Sequence, residues 1–171
     1  GLVEGEFDFV IARLPPEYDS RDFKIIPARS EIVSLLARKN HPLSGAKQLQ
    51  LADLKDYEWV IQEHRSPIRQ ALENAFHSSN VKVPSNITNT SSALVMLTYL
   101  ENTDAITAQS QEVALMLTRP YLGANLKVLD TSEDIRVSPF FIIQNRNQQL
   151  SPAASLLMKD PGDFVLSLVA S

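Results

Sequence analysis

The chain contains no cysteine. That excludes disulfide frameworks, thiol nucleophiles, cysteine-based redox sensing and cysteine metal sites together. Glycine is scarce, with five residues at Gly1, Gly5, Gly45, Gly123 and Gly162. None of their spacings makes a phosphate loop or a dinucleotide fingerprint, both of which need glycines where backbone approaches pyrophosphate. There is no G-x-S-x-G elbow. The three histidines, His41, His64 and His77, show no metal-ligand spacing with carboxylates. The acids are scattered, and no pair takes distinct acid and base roles. An enzyme reading therefore has little support, and neither metal nor cofactor is expected. No run is rich in Lys or Arg, and the net charge is −4, so this chain is not expected to grip nucleic-acid phosphates by itself. No apolar run approaches the roughly 20 residues of a membrane helix. Residues 1–5 carry neither a basic region nor an apolar core of a secretory signal. A cytoplasmic protein is the expectation, and the sequons at Asn86 and Asn89 read as chance polar composition.

What is present suits a folded protein. Hydrophobic residues make up 44% of 171, enough for a sizeable core in one or two domains. FDFVIA (7–12) reads as a buried strand. RLPPEYDS (13–20) reads as a loop, because two prolines and an Asp-Ser pair stop helix and ladder alike. FKIIPARSEIVSLLAR (23–38) reads as one long strand or two joined strands, and KNHPLSG (39–45) as a turn. LQLADLKD (49–56) is a short helix and YEWVIQ (57–62) a strand. SPIRQALENAFHSS (66–79) starts with Ser66 as cap and Pro67 in the first helical position. Its Ile68, Leu72 and Phe76 share one helix face.

SNITN (85–89) is strand-like. SSALVMLTYLEN (91–102) is a helix capped by Ser91 or Ser92. DAITAQ (104–109) is a strand. SQEVALMLTRPYLG (110–123) is a helix capped by Ser110 and closing near Gly123. LKVLD (126–130) and RVSPFFIIQN (136–145) are strands. LSPAASLLMKDPGDFVLSLVA (150–170) starts a helix at Ser151-Pro152, which Pro161-Gly162 interrupts. Helices separate most strands, which argues for parallel sheet and an α/β fold. The abrupt passage from residues 2–5 into an apolar strand suggests a fragment lacking an earlier strand and helix.

In parallel α/β sheets, ligands bind at the carboxyl ends of strands, beside helix N-termini with unpaired N–H groups. Four loops follow strands in this way. They carry Arg13; Glu63, His64, Arg65 and Ser66; Thr90, Ser91 and Ser92; and Gln109 with Ser110. Three of them run into helix starts, which suit an anion, and Arg13 would add a bidentate partner. Each residue also has a plain structural role available. Ser91 or Ser92 can be no more than a cap, Arg13 a solvated surface residue, and His64 and Arg65 exposed loop residues. His77 sits favourably at a helix end, His41 is a turn residue before Pro42, and Met96 and Met116 read as core.

The ordered set of these segments resembles the LysR-type transcriptional regulators. VEGEFDFVIARLPP (3–16) is similar to their G-x-x-D-x-x-I strand and loop. PARSEIVSLLARKNHPL (27–43) is similar to their crossing strand and HPL turn, and LQLADLKDYEWVI (49–61) to their L-x-D-L helix and next strand. NTSSALVMLTYLENTDAITAQS (89–110) is similar to the helix and strand that line the effector pocket, and LSPAASLL (150–157) to the final helix. The ARLPP and DYEWVI segments are most similar to the branch containing the galactose-binding-protein regulator and regulators of protocatechuate breakdown.

The resemblance implies an α/β, two-lobed periplasmic-binding-protein-like (type II) fold with two crossing strands. Lobe I would be 1–30 with 137–171, and lobe II 31–136. A small-molecule effector, an organic or sugar acid, would sit in the inter-lobe cleft. Carried over by position, the ligand-binding residues would be Arg13, Ser66, Pro67, Ile68, Asn89, Thr90 and Ser91, and the strand-end reading adds Gln109. Gln109 stands where a proline is common, and Asp104-Ala105-Ile106 replaces a frequent Gly-Ile, so the lobe II rim departs from the pattern. The resemblance implies a homo-oligomer, dimer or tetramer, with no membrane partner. DNA would be met only through an N-terminal winged helix-turn-helix absent from this chain. The alternative is a periplasmic solute-binding protein of a transporter, which shares the fold. A porphobilinogen-deaminase-like enzyme would need a cofactor-bearing cysteine.

Overall fold

The computed structural model describes residues 7–12, 22–27, 30–120, 125–147 and 149–157. Arg13, the expected loop at 13–20, Gly123 and the break at Pro161-Gly162 lie outside them. The chain divides into two units, Gly1–Ser30 with Ser138–Ser171, and Glu31–Val137. Among the described residues no helix is long and apolar enough to cross a membrane.

In the first unit, β1 (Val10–Ala12), β2 (Phe23–Pro27) and β8 (Phe141–Asn145) form one sheet in the order β1-β8-β2. The central strand is β8, antiparallel to both neighbours. Its register places Ile142 between Ile11 and Ile26. This row of β-branched side chains is the cross-strand contact that holds a small sheet together, and Ile142 is fully buried there. The expectation of a buried strand in a parallel sheet at FDFVIA is corrected: β1 is half-buried and antiparallel to β8, and Phe7 is exposed. α5 (Pro152–Leu157) begins at Ser151, whose hydroxyl accepts from Ala154 N at 3.2 Å. Asp8 holds that cap, accepting from Ser151 N at 2.9 Å and from Ser151 Oγ at 2.8 Å.

The second unit contains β3 (Val33–Arg38), α1 (Leu51–Leu54), β4 (Trp59–Ile61), α2 (Pro67–Ser78) and β5 (Ile87–Asn89). It continues with α3 (Ala93–Asn102), β6 (Thr107–Ser110), α4 (Gln111–Leu117) and β7 (Leu126–Val128). The segment 23–38 is thus two strands in two sheets. β3 lies between β6 and β7, antiparallel to both, while β4 and β5 pair in parallel. The two ladders meet where Trp59 bridges Ile106 in parallel, with Val60 N donating to Ile106 O at 2.9 Å. The resulting order is β5-β4-β6-β3-β7. The sheet is therefore mixed rather than parallel throughout.

Side-chain alternation divides β4 between two cores. Trp59 and Ile61 enter a cluster with Leu35, Leu51, Leu54 and Phe76, whereas Val60 enters one with Met96, Leu100 and Leu126. Covered on both faces, β3 buries three consecutive residues, Leu35, Leu36 and Ala37. Trp59 meets Phe76 edge-on at 5.8 Å and donates Nε1 to Leu54 O at 3.2 Å. α4 ends at Leu117, six residues before the expected Gly123. Ala114 O still accepts from Thr118 N at 3.1 Å, and the Thr118 hydroxyl reaches the next carbonyl, Leu115 O, at 3.3 Å, satisfying a terminal carbonyl without glycine.

Two charged-type side chains are buried in this unit. His41 is more than a turn residue: it is 2% exposed, with Nε2 3.1 Å from Asp104 O and Nδ1 accepting from Leu43 N at 3.1 Å. An accepting Nδ1 fixes the neutral tautomer with its proton on Nε2. Burial pushes its pKa below the usual histidine value, opposed by the hydrogen bond to Asp104. Arg69, 3% exposed, donates Nε to Glu73 Oε1 at 2.6 Å. Its Nη1 donates to Gln62 O at 3.2 Å and to Asn89 Oδ1 at 2.7 Å. It therefore ties α2 to the ends of β4 and β5.

The unfolded chain takes a proton on His41 before the folded chain does. The contribution of neutral His41 is complete above about pH 6.5 and is lost as pH falls below it. Thermal midpoints measured from pH 7.5 to 5 should fall less steeply in His41→Gln than in the unsubstituted chain; equal slopes would contradict this. Arg69→Met should cost roughly 1–3 kcal/mol by leaving Glu73, Asn89 and a strand-end carbonyl without their donor. At about 2–4 °C per kcal/mol, differential scanning calorimetry should show a loss of several degrees.

Candidate functional site

Strands β4, β5 and β6 run parallel and each is followed by a helix. Parallel pairing brings their carboxyl ends to one sheet edge, and the chain order puts three helix starts beside them. The residues at the strand ends are Gln62, Thr90 and Gln109, and Thr90 N donates to Ile61 O at 3.0 Å. A cavity of about 180 Å³ opens there within the unit Glu31–Val137. Its wall takes Val60, Ile61 and Gln62 from β4 and the residue after it, and Thr90, Ser91 and Ser92 from the turn before α3. Ala93 and Met96 of α3, Gln109 of β6, and Val113, Met116 and Leu117 of α4 complete it.

Ser92, not Ser91, caps α3, its hydroxyl accepting from Val95 N at 3.3 Å. Thr90 Oγ1 accepts from Ser92 N at 3.1 Å and fixes the turn. Ser91 is exposed and leaves its hydroxyl on the cavity wall. Ser110 caps α4 by accepting from Val113 N at 3.4 Å. Gln109, 8% exposed, donates Nε2 to Met96 Sδ at 3.0 Å. Gln62 Nε2 donates to Gln109 Oε1 at 3.4 Å, and Gln62 Oε1 is buried without a hydrogen-bond partner. No charged side chain is among the described residues that line the cavity. The wall offers apolar contact and a few directed hydrogen bonds, the usual composition of a small-molecule site.

Of the residues expected to bind ligand, Thr90, Ser91 and Gln109 lie together on this wall. Ser66, Pro67, Ile68 and Asn89 are not part of it. Ser66 occupies the N-cap position of α2 without a side-chain cap bond, and Pro67 is exposed. Ile68 packs against the larger core, and Asn89 accepts from Arg69. Arg13 lies outside the described residues. Sequence reasoning missed Gln62 and Arg69. The i,i+4 spacing of Arg69 and Glu73 on a helix starting at Pro67 was a usable signal for the second. Met96 and Met116 were both read as core. Met96 is buried but also lines the cavity, and Met116 is 47% exposed on its rim. His64 is exposed, 3.5 Å from Glu73. Among the described residues no cluster of His, Asp or Glu could hold a metal ion.

Comparison with known proteins places this geometry. The LysR substrate binding domain family matches residues 1–159. The HTH-type transcriptional regulator GbpR of Rhizobium radiobacter is 34% identical over 113 residues, covering 66% of this chain and 37% of that protein. The chain thus spans little more than a third of that regulator's length. The regulatory domain of Synechocystis CcmR, solved in complex with 2-PG, is similar at 22% identity and a TM-score of 0.66, covering 98% of this chain and 76% of that one. The effector-binding domain of QuiR, solved in complex with shikimate, gives 20% identity and a TM-score of 0.61, covering 98% and 74%. These structures share the α/β periplasmic-binding-protein-like (type II) fold. The chain belongs to the LysR substrate-binding domain family.

Proposed function

We propose that this chain is the ligand-sensing regulatory domain of a LysR-type transcriptional regulator. The observation that carries the reading is the cavity at the ends of β4 and β6, where Thr90, Ser91 and Gln109 converge beside the start of α3. The CcmR and QuiR domains are solved with small molecules bound, which supports a small effector here. The two units act as the lobes of the sensor, and its position in the family pattern makes Arg13 a candidate partner for an anion. In this reading a ligand alters the regulator only through different affinity for two arrangements of the protein. The regulator works as a cytoplasmic homo-oligomer and contacts DNA through a segment outside this chain.

Thermal-shift measurement against organic acids, sugar acids and sugars tests this. A compound held at 100 times its dissociation constant adds about 2.7 kcal/mol, a rise of roughly 5–10 °C for a domain of this size. Thr90→Val and Gln109→Leu should each reduce the rise, and Arg13→Ala should reduce it for acids alone. The reading fails if no compound raises the midpoint.

A further inference from the structure

Because the chain contains no cysteine, its chemistry with peroxides falls on methionine thioethers. There are three, Met96, Met116 and Met158, of which Met158 lies outside the described residues. The other two line one cavity in opposite states. Met96 is 6% exposed and packs with Val60, Leu100 and Leu126. Its Sδ accepts from Gln109 Nε2 at 3.0 Å and from Thr107 Oγ1 at 3.5 Å, so both lone pairs of the sulfur meet a donor. Met116 is 47% exposed, in the last turn of α4 at the rim of the same cavity.

We propose that Met116 is a site of reversible oxidation by hydroperoxides, and that its sulfoxide makes the mouth of the cavity polar. The sulfur lone pair attacks one peroxide oxygen, and an S–O bond forms as the O–O bond breaks. The proton on the attacked oxygen passes to the leaving oxygen. The thioether is oxidised to the sulfoxide, and the peroxide is reduced to water or an alcohol. A thioether is apolar and flexible, whereas a sulfoxide carries a strong hydrogen-bond acceptor. At Met116 that acceptor stands on the stretch of wall that α4 otherwise lines with Val113 and Leu117. Solvent can hydrate it there, so the fold tolerates the change. At Met96 the same oxygen would need space inside a close-packed core, and peroxide reaches that sulfur only when the unit opens locally. This chemistry goes beyond the sensing role and does not depend on it.

The test treats the 171-residue chain, carrying 13C-methyl-labelled methionine, with hydrogen peroxide. Each methionine is followed by peptide mass spectrometry and by its methyl signal. Met116 should oxidise at least about tenfold faster than Met96, and the two rates should converge in denaturant, where both sulfurs are solvated. Once Met116 is converted, the Met96 signal should shift, because both side chains line one cavity, and the thermal transition should stay cooperative. Methionine sulfoxide reductases for both sulfoxide epimers, supplied with reductant, should return both signals to their starting positions. In Met116→Leu, a swap that nearly conserves volume, the same dose should leave the Met96 signal unmoved. Met96→Leu should leave the rate at Met116 unchanged. Oxidation of Met96 as fast as Met116 in the folded chain overturns the proposal. So does conversion of Met116 that leaves the Met96 signal in place, or that the reductases do not reverse.

Discussion

The parallel pairing of β4 with β5 and β6 is the constraint on which the site depends. Because Trp59, Val60 and Ile61 run in the same direction as Ile87–Asn89 and Ile106, three strands end at one edge and three helices begin there. Reversing any one of them would carry its polar end residue to the opposite edge. The pairing is held by burial on both faces. Trp59 locks into the cluster with Phe76 and Leu54, and Val60 into the cluster with Met96 and Leu100. Arg69 then fastens the start of α2 to the same strand ends.

Within that frame the β5–α3 turn has a divided role. Thr90 and Ser92 spend their side-chain oxygens on the turn and the cap, while Ser91 keeps its hydroxyl exposed on the wall. Local structure and recognition are thereby carried by neighbouring residues of one polar cluster. Gln109 joins them from β6, where its amide bridges the Met96 sulfur and Gln62. The unit of the sheet that is most buried thus supplies the most directed polar group of the cavity.

Local signals in the sequence carried the elements well. Pro67 marks the start of α2 by its fixed φ, and Ser92 and Ser110 mark α3 and α4 by capping, a contact between near neighbours. Strand direction was harder to read. The antiparallel placement of β1 and β2 around β8 depends on Phe141–Asn145, more than a hundred residues away. The segment 23–38 reads equally well as one strand or two, since its division follows from two different sheets. Gly123 was a reasonable stop signal for α4, but that helix ends at Leu117, with Thr118 as its C-cap. Thr90, Ser91 and Gln109, which line the cavity, are legible in the sequence as strand-end residues. Gln62 is not, because its contact is with Gln109, 47 residues along the chain. Ser66, Pro67, Ile68 and Asn89 follow the same strand-end logic but lie off the cavity wall, with Asn89 engaged by Arg69.

The most direct test of the account is a crystal structure of the chain with the compound that most raises its thermal midpoint. The account predicts that compound within the unit Glu31–Val137, in contact with Thr90, Ser91 and Gln109. Finding it instead against Ser66, Pro67 and Ile68, with the cavity at Gln109 empty, would contradict it.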